Sequence, residues 1–374
     1  MPLRFLTGFF LLSTITLSAQ RDTLSPGAPV IMLGGSVQYG FLWSHRYNMG
    51  HLVKRHLTSF ELDIWQKASG TSSWHQPFHY ADAGIAIHYL PLGNPEQLGA
   101  ALGIYPFVNF PLGKRDRTFK LHMRYGWGFG WITKAFDPLE NHKNIAIGSH
   151  VNACISLRLN GTLKFDHSRI EIGLGLTHFS NGSRKLPNLG INLPMFNVGY
   201  HFDFFDPSRS PTYQRAAYAG HHVDSLLATG KWNISAMAIV GANDIDPPGG
   251  NRFGVFNVLT YFMKQTSRKH RFGGGIDLMY SQAIRHKLVY DSVPISVIGS
   301  IQPGIKFCYE LVLGRISLPG EIGVYLYSRY KENGPVYNRW GIRFLATDHL
   351  LFTVLLKTHF AKAEYWEIGA GWKF

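Results

Sequence analysis

The sequence predicts an all-β protein, a transmembrane antiparallel β-barrel of about sixteen strands, with an eight-stranded barrel plus a second β half as the alternative. Three observations predict it: a composition rich in aromatics but poor in charge, long segments of alternating polarity, and an aromatic last strand. Of 374 residues, 45% are hydrophobic and 14% aromatic, while only 16% are charged, against about 25% in a soluble domain. Such a chain is not intrinsically disordered, because disorder goes with few aromatics and much charge. With 40 glycines it is also a poor helical enzyme, since glycine and aromatics are weak helix formers. Beyond the N-terminus no apolar run reaches the roughly 18 residues of a membrane helix. Alternating strands hide apolar groups in lipid without any such run.

Residues 1–19 read as a secretory signal. Arg4 gives a positive start, residues 5–17 an apolar stretch, and Ser18-Ala19 a small-residue cleavage neighbourhood before Gln20. The rest divides into 20–204, a long connection 205–231 in which 223–227 reads as helical, and 232–374. In the first part the alternating segments are 30–43, 60–68, 82–89, 98–110, 119–131, 145–165, 169–180 and 190–204. The second part adds 232–240, 252–263, 271–281, 295–311, 315–327, 336–345, 351–360 and 364–374. Turn-forming Gly, Pro, Asn, Asp and Ser clusters separate them, which is the strand and hairpin signature.

Segment 119–131 is the clearest. Phe119, Leu121, Met123, Tyr125, Trp127, Phe129 and Trp131 share one face, and Lys120, His122, Arg124 and three glycines share the other. Seven large apolar groups in line suit a lipid-facing wall. The last segment repeats the pattern through Trp366, Ile368, Trp372 and Phe374. The sum is even, as a bacterial single-chain barrel requires, and the preferred arrangement is a single ring.

The formal charge of +14 suits a polyanionic partner. The basic residues are scattered in short groups such as Lys114-Arg115 and Arg268-Lys269-His270, without a nucleic-acid motif. A phosphorylated membrane lipid is therefore the expected polyanion, and nucleic acid is not expected. The 18 histidines include one adjacent pair, His221-His222, and no zinc-type spacing, so neither metal nor other cofactor is expected. Cys154 and Cys308 lie in separate strand segments and are expected to be packed, not bridged.

The chemistry concentrates between residues 169 and 204. Ile170, Ile172, Leu174 and Leu176 form an aliphatic face that ends in His178 and Ser180, because residues i and i+2 point the same way. On the following strand Asn192 shares its phase with Pro194, Phe196, Val198 and Tyr200. Three polar groups thus interrupt a lipid-facing wall, where unsatisfied polarity is costly. A serine nucleophile needs a base and a third group that holds the base in one tautomer. Ser180, His178 and Asn192 fill those roles, though Asn181-Gly182 is also an ordinary turn pair.

The run His178-Phe179-Ser180-Asn181-Gly182, followed by Pro187-Asn188-Leu189-Gly190-Ile191-Asn192, resembles the active-site segment of the PagL-type lipid A 3-O-deacylases, also called acyloxyacyl hydrolase-like proteins. These are outer-membrane barrels with a Ser-His-Glu triad. The resemblance implies Ser180 as nucleophile, His178 as general base, and Asn181 and Asn188 as support around the oxyanion; a backbone N–H near Asn181-Gly182 is the other expected donor. It departs at Asn192, which stands where the family has Glu. The segment is also similar to outer-membrane phospholipase A, whose triad is Ser-His-Asn and which would add calcium, although Ser183 and Asn188 stand where that enzyme has its calcium-loop Arg and Ser.

The expected protein is thus a lipid esterase of the bacterial outer membrane that removes an ester-linked acyl chain from lipid A, or a phospholipase of similar mechanism. With the N-terminus periplasmic, Ser180 and the loop 181–189 face outward, where lipopolysaccharide lies. Arg46, Lys54, Arg55, Arg184 and Lys185 in outward loops are then either partners for lipid phosphates or ordinary solvated loop residues. A non-catalytic pore or scaffold is the competing expectation, because sixteen strands would enclose a water-filled lumen.

Overall fold

The computed structural model describes residues 30–69, 72–113, 119–206, 229–245, 247–248, 250–293, 296–360 and 362–374. The signal segment, the helical stretch 223–227, the pair His221-His222 and Lys114-Arg115 lie outside the described residues.

Strands β1 (Ile31–Gly40), β2 (Leu57–Gln66), β3 (Asp82–Pro91), β4 (Ala100–Leu112), β5 (Phe119–Ile132), β6 (Val151–Phe165), β7 (Ser168–Ser180) and β8 (Ile191–Phe205) form one closed antiparallel ring. A second ring follows: β9 (Trp232–Asn243), β10 (Phe253–Gln265), β11 (His270–Ser281), β12 (Gln302–Leu313), β13 (Ile316–Tyr325), β14 (Val336–Leu345), β15 (Leu350–His359) and β16 (Lys362–Lys373). The sixteen strands thus form two eight-stranded barrels, the alternative arrangement, and not one ring. The reason lies in strand edges. β8 gives its free edge to β1, with Val37 opposite Val198, and β16 gives its own to β9, with Ile368 opposite Val240. No edge is left through which the two halves could join into a single sheet.

Ring size decides what the lumen holds. Eight strands leave an interior just wide enough for side chains to fill, and here the filling is ionic. In the first barrel Arg124 lies 2.8 Å from Asp63 and 3.1 Å from Glu61, and Arg158 also pairs with Glu61. In the second, Arg339 meets Asp277 at 2.6 Å and Glu367 at 2.7 Å, while Lys306 bridges Asp277 at 2.9 Å and Glu321 at 3.1 Å. Every one of these groups is buried. The wide aqueous lumen that the pore alternative needs is absent from the described residues. Cys154 and Cys308 are free and buried, one in each barrel, as their strand positions predict.

Outside, the alternating faces are apolar and exposed: Leu62, Ile64, Ile85, Ile87, Leu121, Phe129 and Leu174 on the first barrel, Ile276, Phe307, Ile322 and Ile368 on the second. Trp127 departs from its expected lipid contact. Its ring stacks on Trp366 of β16 at 5.9 Å between centroids, so this part of the β5 wall packs against the second barrel. Segment 145–165 also differs, since the strand begins only at Val151. Asn144 Oδ1 accepts the N–H groups of Ala146 and Ile147, each at 3.2 Å, and both residues turn into the core. A short helix, α1 (Gln282–Tyr290), follows β11 and has no counterpart among the predicted elements. It buries Ala283, Ile284 and Leu288.

Candidate active site at the end of the seventh strand

Alternation along β7 places Thr177 and Phe179 inside the barrel, where Phe179 is fully buried in the core. His178 and Ser180 therefore lie on the outer wall in phase with Ile170, Ile172 and Leu174. On β8, Ile191, Leu193 and Met195 point inward, which turns Asn192 outward. The register sets His178 directly opposite Asn192. Their side chains meet at 2.6 Å, His178 Nδ1 to Asn192 Oδ1.

Ser180 lies on the same wall but is only 6% exposed, because the loop 181–190 folds over it. Gly182 N–H donates to Ser180 Oγ at 3.1 Å and the Asn188 side-chain N–H at 2.9 Å. Asn188 Oδ1 in turn accepts the Asn181 backbone N–H at 2.9 Å and the Ser180 hydroxyl at 3.2 Å. The Asn181 side chain is engaged elsewhere, donating to the Lys185 carbonyl at 2.8 Å. Of the expected support residues, Gly182 and Asn188 reach Oγ, and Asn181 braces the loop. No hydrogen bond joins His178 to Ser180 among the described residues, although both project from one face two positions apart.

The loop is held from outside as well as from within. Ser183 Oγ donates to the Ala363 carbonyl at 2.8 Å, Asp244 N–H to the Ser183 carbonyl at 3.1 Å, and Leu186 N–H to Asp244 Oδ2 at 3.1 Å. Gly182 has φ +62°, and a Cβ there would stand 2.3 Å from Trp366 Nε1. Only glycine satisfies both the left-handed backbone and that approach. The second barrel is thus the seat on which the loop over Ser180 rests.

One neighbour escapes the sequence reading. His45 Nδ1 lies 3.0 Å from Asn192 Nδ2, and His45 Nε2 lies 3.1 Å from the Leu189 carbonyl. Its signal is the one that marks His178. Val37, Tyr39, Phe41 and Trp43 are exposed apolar groups at alternate positions, and His45 is the polar residue that ends their series. The β1 ladder continues past Gly40, with Trp43 N–H donating to the Asn192 carbonyl at 2.9 Å, so the phase is kept. A further cluster, His167, Asp203 and Asp206, lies at the opposite end of β7 and β8 from Ser180.

Fold and site together define a class: closed barrels with apolar outer walls, bearing a buried serine and a histidine–amide pair at one rim. Residues 34–201 match the model of the lipid A 3-O-deacylase (PagL) family, and residues 230–374 match that of the acyloxyacyl hydrolase C-terminal domain. The two matches take in nearly all of both barrels, and the chain belongs to the PagL-type deacylase family. Among solved structures, the outer membrane enzyme PagL is 16% identical, with 46% of this chain and 99% of that one covered and a TM-score of 0.29. A protein of unknown function from Nostoc punctiforme is 11% identical, covering 74% of this chain and 90% of its own at a TM-score of 0.20. A porin is 8% identical, covering 92% of this chain and 100% of its own at 0.17. No curated protein matches the chain. The family assignment rests on the two family models alone.

Proposed function

We propose that this protein is a serine esterase of the bacterial outer membrane that removes an ester-linked acyl chain from lipid A, with Ser180, His178 and Asn192 as its triad. The observation that carries the reading is the 2.6 Å contact between His178 Nδ1 and Asn192 Oδ1, beside a serine whose Oγ already receives two N–H donors. Family membership supplies the substrate class.

Ser180 Oγ attacks the ester carbonyl carbon and His178 Nε2 takes its proton. The carbonyl oxygen gains the negative charge, and the Gly182 N–H and the Asn188 amide, which at rest donate to Ser180 Oγ, turn to it as donors. His178 returns the proton to the leaving sugar hydroxyl, and the acyl group stays on Ser180. Water, deprotonated by the same histidine, releases the fatty acid and restores the serine. Asn192 orients the ring without adding charge. Apo sites are commonly looser than reacting ones, which accounts for a serine still bonded to its loop. The wall around the site is apolar, as an acyl chain requires, and exposed Arg46, Lys54 and Arg55 stand at the same rim, where lipid phosphates lie.

Asn192 also favours a second reading, a phospholipase of similar mechanism, because an amide there matches that enzyme. Lipid A mass spectra and phospholipid release from cells expressing wild type or Ser180→Ala test both. Loss of lipid A deacylation in the variant is expected; identical acylation in both strains would sink the assignment, and loss of phospholipid release alone would favour the second reading.

A further inference from the structure

The triad as proposed has a weakness that a carboxylate would not have. A carboxylate accepts a hydrogen bond whichever way it is turned, but an amide has one accepting end and one donating end. If the Asn192 amide were rotated by half a turn, its N–H would face His178 Nδ1. That nitrogen would then hold the lone pair and Nε2 the proton, and the ring would be no base toward Ser180. Something must therefore hold the amide in one sense.

We infer that His45 is a positioning residue that locks the Asn192 amide and, through it, the tautomer of His178. The assignment deepens the triad reading and rests on it. It begins at the Leu189 carbonyl, which can only accept. His45 Nε2, 3.1 Å away, must therefore carry a proton, and in the neutral ring Nδ1 is then a lone pair. That lone pair takes the N–H of Asn192 Nδ2 at 3.0 Å. With its donating end engaged, Asn192 turns Oδ1 to His178 and accepts the Nδ1–H at 2.6 Å. The lone pair of His178 is left on Nε2, where a general base needs it. The His45 Nδ1 atom also lies 3.4 Å from the Trp43 carbonyl, the longer of its polar contacts. A proton placed there to serve Trp43 would set two donors face to face at Asn192.

The backbone supports each step of this relay. Trp43 N–H bonds the Asn192 carbonyl at 2.9 Å, and Gly190 N–H bonds the Ala146 carbonyl at 3.0 Å, which holds Leu189 in place. Gly190 has φ +84°, and a Cβ on it would come within 2.9 Å of His178 Cε1, so the chain passes close against the ring edge. The Leu189 carbonyl is thus the fixed point from which two imidazoles and one amide take their sense. In a triad with an acidic third member no such device is needed. His45 supplies by hydrogen-bond direction what the missing charge would have supplied by symmetry.

The experiment compares deacylation kinetics of the purified full-length protein on lipopolysaccharide for wild type, Ser180→Ala, His45→Ala, His45→Gln, Asn192→Asp and the double variant His45→Ala with Asn192→Asp. Loss of one orienting hydrogen bond is expected to lower kcat on the order of tenfold in His45→Ala, with KM unchanged. His45→Gln recovers most of it, since a glutamine amide can donate to Leu189 and accept from Asn192. With Asn192→Asp the orientation no longer matters, and His45→Ala then costs little. Wild-type kcat in His45→Ala, no recovery in His45→Gln, or an equal loss when His45→Ala is added to Asn192→Asp would each overturn the inference. Should Ser180→Ala keep its activity, the triad reading itself falls, whatever the His45 variants do.

Discussion

The two barrels are close in plan and differ at one rim. Each closes eight strands, fills its lumen with buried ion pairs and hides one free cysteine. They differ at the hairpin between the seventh and eighth strands. In the first barrel, Ser180 ends β7 and Ile191 begins β8, which leaves ten residues of loop; in the second, His359 ends β15 and Lys362 begins β16, which leaves two. The histidine of the short hairpin is buried beside Tyr325, Lys357 and Glu364, bonded to the Tyr325 hydroxyl at 3.0 Å. The histidine of the long hairpin faces outward and meets Asn192. A register shift between Lys357 and Thr358 marks the point where the second hairpin leaves the pattern of the first. The comparison teaches that the fold supplies the wall, and that the proposed site stands where a polar phase coincides with a loop long enough to cover it.

Exchanging the roles of the two histidines breaks the comparison most sharply. His178→Ala removes the proposed general base and is expected to lower deacylation by about a hundredfold to ten-thousandfold, whereas His359→Ala leaves it at the wild-type rate; an equal effect of both would refute the proposed division of labour. Next comes the lumen. Arg339→Ala leaves Glu367 buried without its cationic partner and Asp277 with Lys306 alone, at a cost of about 3–5 kcal/mol. Thermal unfolding in detergent reads this as a lower melting temperature, and an unchanged transition would show that water replaces the cation.

Between the barrels, Gly182→Ala combines a strained left-handed residue with a collision at Trp366. The backbone alone costs about 1–2 kcal/mol. The loop is expected to lift, deacylation to fall, and trypsin to cut faster at Arg184 and Lys185; a loop as resistant as before would separate it from its seat. The smallest effect belongs to Asp244→Ala, which takes from Leu186 N–H its acceptor, worth about 1 kcal/mol. A modest rise in loop proteolysis with little change in kcat is the expected result.

Much of this is legible in the sequence, because period-two alternation is a local property. Segments such as 119–131 and 364–374 declare their faces without reference to any partner. Closure is not local: nothing in β8 says whether its free edge meets β1 or β9, so one ring and two rings read alike. Trp127 shows the same limit, since an outward aromatic has the same phase whether it meets lipid or Trp366. His178 and Asn192 are legible because their hairpin register follows from adjacent strands. Asn188 follows from the resemblance, but its grip on Ser180 Oγ depends on how the loop folds back. His45 is hidden although it continues an alternating series, because it stands in a strand neighbour 147 residues from Asn192 and past the end of the regular ladder.

The seat of Gly182 has a consequence for the order of events. Trp366 belongs to the last strand of the chain, and β16 finds its place only by pairing with β15 and β9. Ser180 is synthesised before the second barrel exists, yet its covering loop has nothing to rest on until the final strand has closed. Closure of the second barrel thereby becomes a condition for a covered Ser180, and a protein truncated within β16 would carry Ser180, His178 and Asn192 with the loop above them unsupported.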